Sequence, residues 1–253
     1  MRGEVCIGLA SLFSFTATLL LIFAHVGSTN HNAVGRSISL VSLNVSGFGT
    51  AYQTATGDSS PGLYNNTPFA PLGQGFGLRQ IYNWGFYGEC HGGWRGTTGI
   101  CTAEGNGTFG YAFAPLAVLL NDTPPKYQTI SQLLIPPSSF KNDQYNRATS
   151  KAGFYLIFIG SLATALAFVT GLIRHNVTFF AAMALSIFGA LMTLIGASVW
   201  TALIKRSQSI NSYQVYTVPL GIKVSYGIAL WLIWAAFITM LLSIMPYFLR
   251  WVP

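Results

Sequence analysis

Four long apolar runs divide the chain, and the polar segments between them are very unequal in length. Each run has about 20 residues or more, the length at which an α-helix crosses roughly 30 Å of hydrocarbon. No run has a charged residue in its interior, where insertion scales assign a cost of roughly 2.5–3.5 kcal/mol to each charge. The pattern predicts four membrane-spanning helices, over residues 1–26, 152–172, 177–203 and 224–249.

The first run begins as a secretory signal peptide would, with Arg2 and Glu4 ahead of the apolar residues. Its apolar part extends from Val5 to Val26, well beyond the roughly 7–15 apolar residues of a signal peptide. We therefore interpret the first run as a membrane anchor that stays in the protein.

The largest polar segment, residues 27–151, is rich in Gly, Asn, Ser, Thr and Pro, yet it also contains two tryptophans and many Tyr and Phe. This aromatic content is enough for a small hydrophobic core, so we interpret the segment as a folded domain. Residues 37–45 alternate between apolar and polar positions, and residues 80–87 are aromatic and β-prone. These two stretches predict strands.

The remaining connections are short: residues 173–176, residues 204–223 and the tail 250–253. Residues 212–218 of the loop between the third and fourth runs (SYQVYTV) are again β-prone, and we expect them to extend the sheet of the large loop. The predicted fold is a membrane α+β architecture, with a four-helix transmembrane bundle and a small extracellular antiparallel β-sheet.

Composition supports a membrane protein: 51% of the residues are hydrophobic and 8% are charged, against roughly 25% charged residues in soluble domains. The net charge of +7 is spread along the chain without the Lys/Arg cluster typical of a nucleic-acid-binding surface. The sequence therefore gives no indication of a nucleic-acid partner.

Orientation is predicted from N-glycosylation sequons, because the Lys and Arg residues flanking the spans are balanced between the two sides. A sequon is modified only on a lumenal or extracellular surface. Four sequons lie in the large loop, so we expect this loop and residues 204–223 to lie outside the cell, with both termini in the cytoplasm. The four acceptors are Asn44, Asn65, Asn106 and Asn121.

Two of the three cysteines, Cys90 and Cys101, lie in the large loop, whereas Cys6 lies in the first span. A lone pair in an oxidising compartment most simply forms one disulfide, with two free thiols or half of a metal site as the alternatives. His91 lies next to Cys90, but one His and two Cys make a poor zinc site, so we expect a surface histidine. No metal site is predicted.

The acidic residues all lie outside the apolar interiors of the spans, so the sequence predicts no carboxylate for ion coupling within the membrane. Glu89 could form a general acid and base pair with Glu104 or Asp122, yet we expect these side chains to be solvated.

The glycine-rich stretch 73–77 lacks the pattern of a phosphate loop and predicts an ordinary loop. We expect no catalytic residue and no cofactor.

Small residues recur four positions apart within the spans, a spacing that lets helices pack closely. The pairs serve either packing inside the bundle or docking against another membrane protein. They are Ala10 and Ser14, Gly160 and Thr164, and Ser186 and Ala190.

The stretch from Trp84 through Gly85, Phe86 and Tyr87 to Cys90, followed by Cys101, resembles the first-loop signature of the claudin superfamily. That signature is Gly, Leu, an aromatic residue, two variable residues and Cys, with a second Cys about ten residues later. Gly85 and the two cysteines match it, while Phe86 replaces the leucine and Tyr87 the usual tryptophan. With the four spans and the unequal loops, the chain is most similar to the fungal SUR/PalI group.

The resemblance implies a non-enzymatic plasma-membrane protein that acts as a scaffold, a microdomain organiser or an accessory subunit of a membrane complex. The alternative is an auxiliary regulatory subunit of an ion channel or transporter, and a membrane enzyme or transporter acting alone is a third class. Expected partners are the lipid bilayer and other integral membrane proteins (a channel, transporter or synthase), or further copies of the chain.

We predict that at least one of Asn44, Asn65, Asn106 and Asn121 carries a glycan, with Asn121 the weakest acceptor because Pro124 follows its sequon. Digestion with an N-glycosidase should sharpen the gel band and lower its apparent mass. Asn176→Gln should leave the band unchanged, since Asn176 lies at a helix end in the shortest loop. A band that does not shift on digestion would contradict the predicted orientation.

Overall fold

The computed structural model describes residues 2–30, 33–65, 67, 70–92, 99–102, 108–173 and 176–251. The chain forms two compact units. The helix unit comprises Met1–His25, Ala152–Val199 and Ala229–Pro253, and the sheet unit comprises Val26–Lys151 and Trp200–Ile228. Asn106, one of the predicted glycan acceptors, lies outside the described residues.

The described α-helices are four long ones and four short ones. Each long helix is long and apolar enough to cross a membrane, which confirms the predicted number of spans. In chain order they are α1 (Arg2–Val26), α2 (Ala33–Ser37), α3 (Phe48–Thr56), α4 (Pro115–Asp122), α5 (Pro125–Leu134), α6 (Asp143–Gly171), α7 (Asn176–Ser207) and α8 (Ile228–Trp251).

Close backbone packing joins α6 to α7 in the helix unit. A side chain on Gly160 would place its Cβ 2.6 Å from Oγ1 of Thr193, and one on Gly189 would place it 2.9 Å from Oγ1 of Thr164. Both glycines are therefore needed where the two helices approach each other. In the described part of the bundle, the predicted small-residue pair of Gly160 and Thr164 serves internal packing.

A polar contact joins α1 to α6 in the same unit. The Nε2 atom of His25 lies 3.0 Å from the hydroxyl oxygen of Ser161. The rings of Phe154 and Phe158 stand nearly perpendicular to the imidazole, with centroids 6.3 and 6.1 Å away. Hydrogen bonds of this kind help to hold helices together where no water competes for them.

The described strands form one four-stranded antiparallel sheet, in the order β3-β2-β1-β6, and a separate two-stranded hairpin of β4 and β5. This result confirms the predicted small antiparallel sheet. The strands are β1 (Val41–Asn44), β2 (Ile81–Trp84), β3 (Glu89–Gly92), β4 (Gln214–Val215), β5 (Val218–Pro219) and β6 (Lys223–Tyr226).

The contribution of the second loop differs from the prediction in its position. We expected residues 212–218 to join the main sheet, but they supply β4 and the start of β5 in the separate hairpin. The strand that joins is β6, whose Tyr226 lies opposite Val41 of β1. Since residues 223–226 are extended, α8 begins at Ile228 rather than at the predicted Val224.

The second membrane-spanning helix starts earlier than its apolar run. Helix α6 begins at Asp143, nine positions before the predicted Ala152. The Asp143 carboxylate accepts hydrogen bonds from the backbone N–H groups of Leu116 (3.3 Å) and Ala117 (2.7 Å), in the first turn of α4. A carboxylate placed there satisfies backbone donors that a helix start leaves unpaired.

The core of the sheet unit is aromatic. Trp84 of β2 packs edge-on against Phe113 at a centroid distance of 5.2 Å, and Phe86 packs against Trp200 at 6.3 Å. All four side chains are buried. Trp200 comes from the part of α7 that belongs to the sheet unit, so this helix contributes to the same core as the first loop.

Two glycines allow the first and second loops to meet. Gly221 has a φ of 76°, and a Cβ on it would lie 2.1 Å from the carbonyl carbon of Gly47. The backbones touch at a place where no other residue type fits without displacement. This contact is a second link between the loops, in addition to the β1–β6 pairing.

We predict that Gly221→Ala destabilises the sheet unit much more than Gly62→Ala. Gly62 has nearly the same φ, 77°, but a Cβ on it would meet nothing within 4 Å. Gly62→Ala should therefore show only the cost of a positive φ, about 1 kcal/mol, whereas the clash should bring Gly221→Ala to roughly 3 kcal/mol. Thermal unfolding in detergent micelles measures both, and equal losses would disprove the close contact.

Candidate functional site

The family-like motif forms the turn between β2 and β3. The N–H of Gly85 donates to the carbonyl of Gly88 at 2.9 Å, which closes the turn. A Cβ on Gly85 would lie 2.4 Å from the carbonyl oxygen of Gly27, so the motif glycine is required by a close backbone approach. Of the motif aromatics, Trp84 and Phe86 are buried and Tyr87 is half-buried, 6.4 Å from the Phe109 ring.

A disulfide joins Cys90 of β3 to Cys101, which lies beside it in an antiparallel bridge. Backbone hydrogen bonds flank the bond: the N–H of His91 donates to Ile100, and that of Thr102 donates to Glu89. The covalent bond therefore fastens a fifth extended segment, residues 99–102, to the edge of the sheet.

The residues on either side of Cys90 are buried charges. Strand alternation places Glu89 and His91 on one face of β3, and the register sets them opposite Trp84 and Tyr82 of β2. The His91 ring lies between two carboxylates, with Nε2 3.2 Å from Oε1 of Glu89 and Nδ1 3.6 Å from Oδ2 of Asp122. None of the three side chains is more than about one-twentieth exposed.

This cluster corrects two predictions. His91 is not a surface histidine, and Glu89 and Asp122 are not solvated, because the three side chains satisfy one another's charge inside the protein. Glu104 lies outside the described residues. The sequence does contain a signal for the pairing of Glu89 with His91, because the two residues flank Cys90 at the i, i+2 spacing that places side chains on one face of a strand. Asp122, from the end of α4, had no such signal.

The cluster sets the charge of the imidazole. Burial alone would lower the pKa of His91, but the nearby carboxylates of Glu89 and Asp122 outweigh it and raise that pKa to about 9. The side chain is therefore an imidazolium at neutral pH. Burial and the nearby Glu89 charge also raise the pKa of Tyr111, which keeps its hydroxyl protonated.

Asp122 ties the cluster to the surrounding loops. Its Oδ1 accepts a hydrogen bond from the N–H of Gly73 at 2.6 Å, and its Oδ2 accepts one from the hydroxyl of Tyr82 at 3.0 Å. The Tyr82 ring also stands edge-on to His91, with centroids 4.6 Å apart. The glycine-rich loop predicted at residues 73–77 thus contacts the cluster through its first residue.

A cleft of about 350 Å³ opens over the cluster. Glu89, His91 and Asp122 line it together with Tyr111 and two cations of α6, Arg147 and Lys151. Among the described residues, no group of three His, Cys, Asp or Glu side chains has the geometry of a metal site. The cleft combines buried charges of both signs with exposed cations, which suits a charged polar ligand better than an apolar one.

The three described glycan acceptors lie in different settings. Asn44 is in β1 and Asn65 precedes a loop, and the side-chain carbonyl of each accepts a hydrogen bond from the backbone two residues on. Asn121 is exposed on α4 and lines the cleft. Their glycosylation stays a prediction.

We predict that the sheet unit loses stability as the pH rises through about 9. The pKa of His91 in the folded protein lies above its ordinary value of 6.5. The ion pairs therefore stabilise the folded unit fully below about pH 6.5, and this contribution is lost as the pH rises towards 9 and the imidazolium deprotonates. This rise in the pKa of His91 corresponds to about 3 kcal/mol of folding free energy. Thermal unfolding between about pH 7 and 9.5 should show a falling midpoint in the wild-type protein.

His91→Gln should flatten that pH dependence and lower stability at neutral pH, because two buried carboxylates lose their cation. His25→Gln is the matched control, since His25 pairs with a neutral hydroxyl, and it should keep the wild-type slope. If His91→Gln kept the slope as well, the imidazolium would not be its source.

Comparison with protein families matches residues 6–243 to the SUR7/PalI family. No curated protein matches the chain. The matched range contains the disulfide, the buried cluster and most of all four long helices, so the match extends across both units. The family predicted from the first-loop motif is thereby confirmed: the chain belongs to the SUR7/PalI family and is a multi-pass membrane protein.

Proposed function

We propose that the protein is a non-enzymatic component of the plasma membrane, acting as a scaffold, a microdomain organiser or an accessory subunit of a membrane complex. The sheet unit would lie outside the cell, with both termini in the cytoplasm. Four sequons in residues 27–151 and a disulfide in the same segment support this orientation, since both modifications belong to an oxidising, glycosylating compartment.

The observation that carries the proposal is the division of charge between the two units. The apolar interiors of the four spans contain no Asp, Glu, Lys or Arg, so they offer no charged path for an ion or polar substrate. Several polar side chains there bond to their own helices, as when Thr164 donates to the carbonyl of Gly160 at 2.7 Å and Ser243 to that of Met240, while His25 contacts the neutral hydroxyl of Ser161. This composition suits contact with lipid and other helices.

The sheet unit is held together as an extracellular interaction domain would be. Its two loops share one sheet, its aromatic core joins the first loop to the end portion of α7, and a disulfide fastens the sheet edge. Asp122 is engaged with His91 and with backbone and hydroxyl donors, and Glu89 pairs with His91 through Oε1, which favours a structural role over acid–base catalysis. A firmly built unit presents a constant surface to a partner.

Purification from native membranes in a mild maltoside detergent, followed by quantitative mass spectrometry, tests the proposal. We expect a stoichiometric integral membrane partner or a defined oligomer of the chain itself. A channel or transporter as partner would identify the accessory role more closely. A monomer that is active as an enzyme or transporter without a partner would contradict the proposal.

Two cysteine variants test whether the sheet unit holds the partner. Cys90→Ser breaks the disulfide and should reduce partner recovery strongly, because losing such a bond costs roughly 2–5 kcal/mol. Cys6→Ser is the matched control, removing a thiol from α1, and should leave recovery unchanged. Equal recovery with both variants would locate the contact in the helix unit instead.

A further inference from the structure

The cleft in the sheet unit has the size and lining of a small-ligand site. Its volume of about 350 Å³ lies at the lower end of the range for small-molecule pockets. Glu89, only 4% exposed, lines it, and its Oε2 atom has no hydrogen-bond partner among the described residues. A buried carboxylate oxygen left in this way can accept a hydrogen bond from a cationic donor.

The inner side of the cleft carries a net negative charge. Glu89 and Asp122 contribute two carboxylates, and the imidazolium of His91 between them neutralises one. One negative charge therefore remains on the buried cluster, which attracts a cation in a partly water-excluded setting.

The opposite charge lines the cleft from α6. Arg147 and Lys151 are four residues apart, so they lie on the same face of the helix. Both side chains are exposed, and the charge of Arg147 acts on Asp143 of the same helix, whose pKa it helps to lower against the effect of burial. Two neighbouring exposed cations form a suitable site for a phosphate group, which can accept hydrogen bonds from both.

The position of Lys151 indicates the depth at which such a phosphate would lie. The apolar run of α6 begins at the next residue, Ala152. Lys and Arg at the end of a membrane span sit at the level of the lipid head groups. Phe109, 54% exposed, also lines the cleft, and an aromatic face adds attraction for an ammonium group.

We propose that this cleft binds an aminoalkyl phosphate, with its phosphate on Arg147 and Lys151 and its ammonium group facing Glu89 and Phe109. The chemistry is shared by phosphoethanolamine in solution and by the head group of phosphatidylethanolamine in a bilayer. A simple anion would be repelled by the negative cluster, and a simple cation by the two cations of α6. The proposal does not depend on the accessory role of the protein.

Isothermal titration of the full chain in maltoside micelles with O-phosphoethanolamine tests the soluble form of the ligand. Ethyl phosphate, which lacks the ammonium group, and ethanolamine, which lacks the phosphate, are the comparison ligands. We expect each comparison ligand to bind at least about tenfold more weakly than O-phosphoethanolamine, because each lacks one charge-assisted hydrogen bond. Equal affinity for ethyl phosphate would overturn the assignment of the ammonium group.

The double variant Arg147→Gln/Lys151→Gln should abolish measurable binding without unfolding the protein, because both side chains are exposed. Lys205→Gln/Lys223→Gln is the matched control: it also removes two exposed cations from the sheet unit, but neither lines the cleft. The control should bind as the wild type does. If both double variants lose binding equally, the effect is one of general surface charge and the proposed site is wrong.

Native mass spectrometry of protein released from nanodiscs tests the membrane source. Discs of phosphatidylglycerol with phosphatidylethanolamine should leave phosphatidylethanolamine on the wild-type chain and on the control variant, but not on Arg147→Gln/Lys151→Gln. Retention shows that the ligand is the lipid, whereas titration binding without retention shows a soluble ligand. No saturable binding in either experiment would refute the site.

Discussion

The pairing of β1 with β6 is the constraint on which the sheet unit depends. Ser42 and Ser225 lie directly opposite each other across these strands, although they are 183 residues apart along the chain. Two of the four spans lie between them in sequence, an even number that returns the chain to the same side of the membrane, and the pairing requires both loops to be there. The close backbone contact of Gly47 with Gly221 also joins the two loops.

The buried ion pairs serve this arrangement in a different way. Removing charges from water is costly, so a group such as Glu89, His91 and Asp122 adds less stability than its short distances imply. It does fix geometry, since the end of α4, the strand β3 and the loop at Gly73 must all be in place for the charges to be satisfied. The cysteine in the middle of β3 adds a covalent tie at the same point.

The features predicted from sequence were those with local signals. Long uncharged runs gave the four spans, and alternation or aromatic content gave β1 and β2. The strand β6 was missed because its four residues lead directly into an apolar run and share its composition. The burial of His91 was missed because one of its partners, Asp122, is 31 positions away and meets it only in the folded chain.

Cysteine trapping across β1 and β6 is the most direct test of the sheet shared by the two loops. Opposed residues of an antiparallel pair have Cα atoms roughly 4.5–5.5 Å apart, within reach of a disulfide. Ser42→Cys with Ser225→Cys should therefore crosslink on mild oxidation in intact membranes, detected as a reducible join between fragments cleaved within the loop before α6. Ser42→Cys with Tyr216→Cys, from the turn of the separate hairpin, should not. Crosslinking of the second pair but not of the first would contradict the shared sheet.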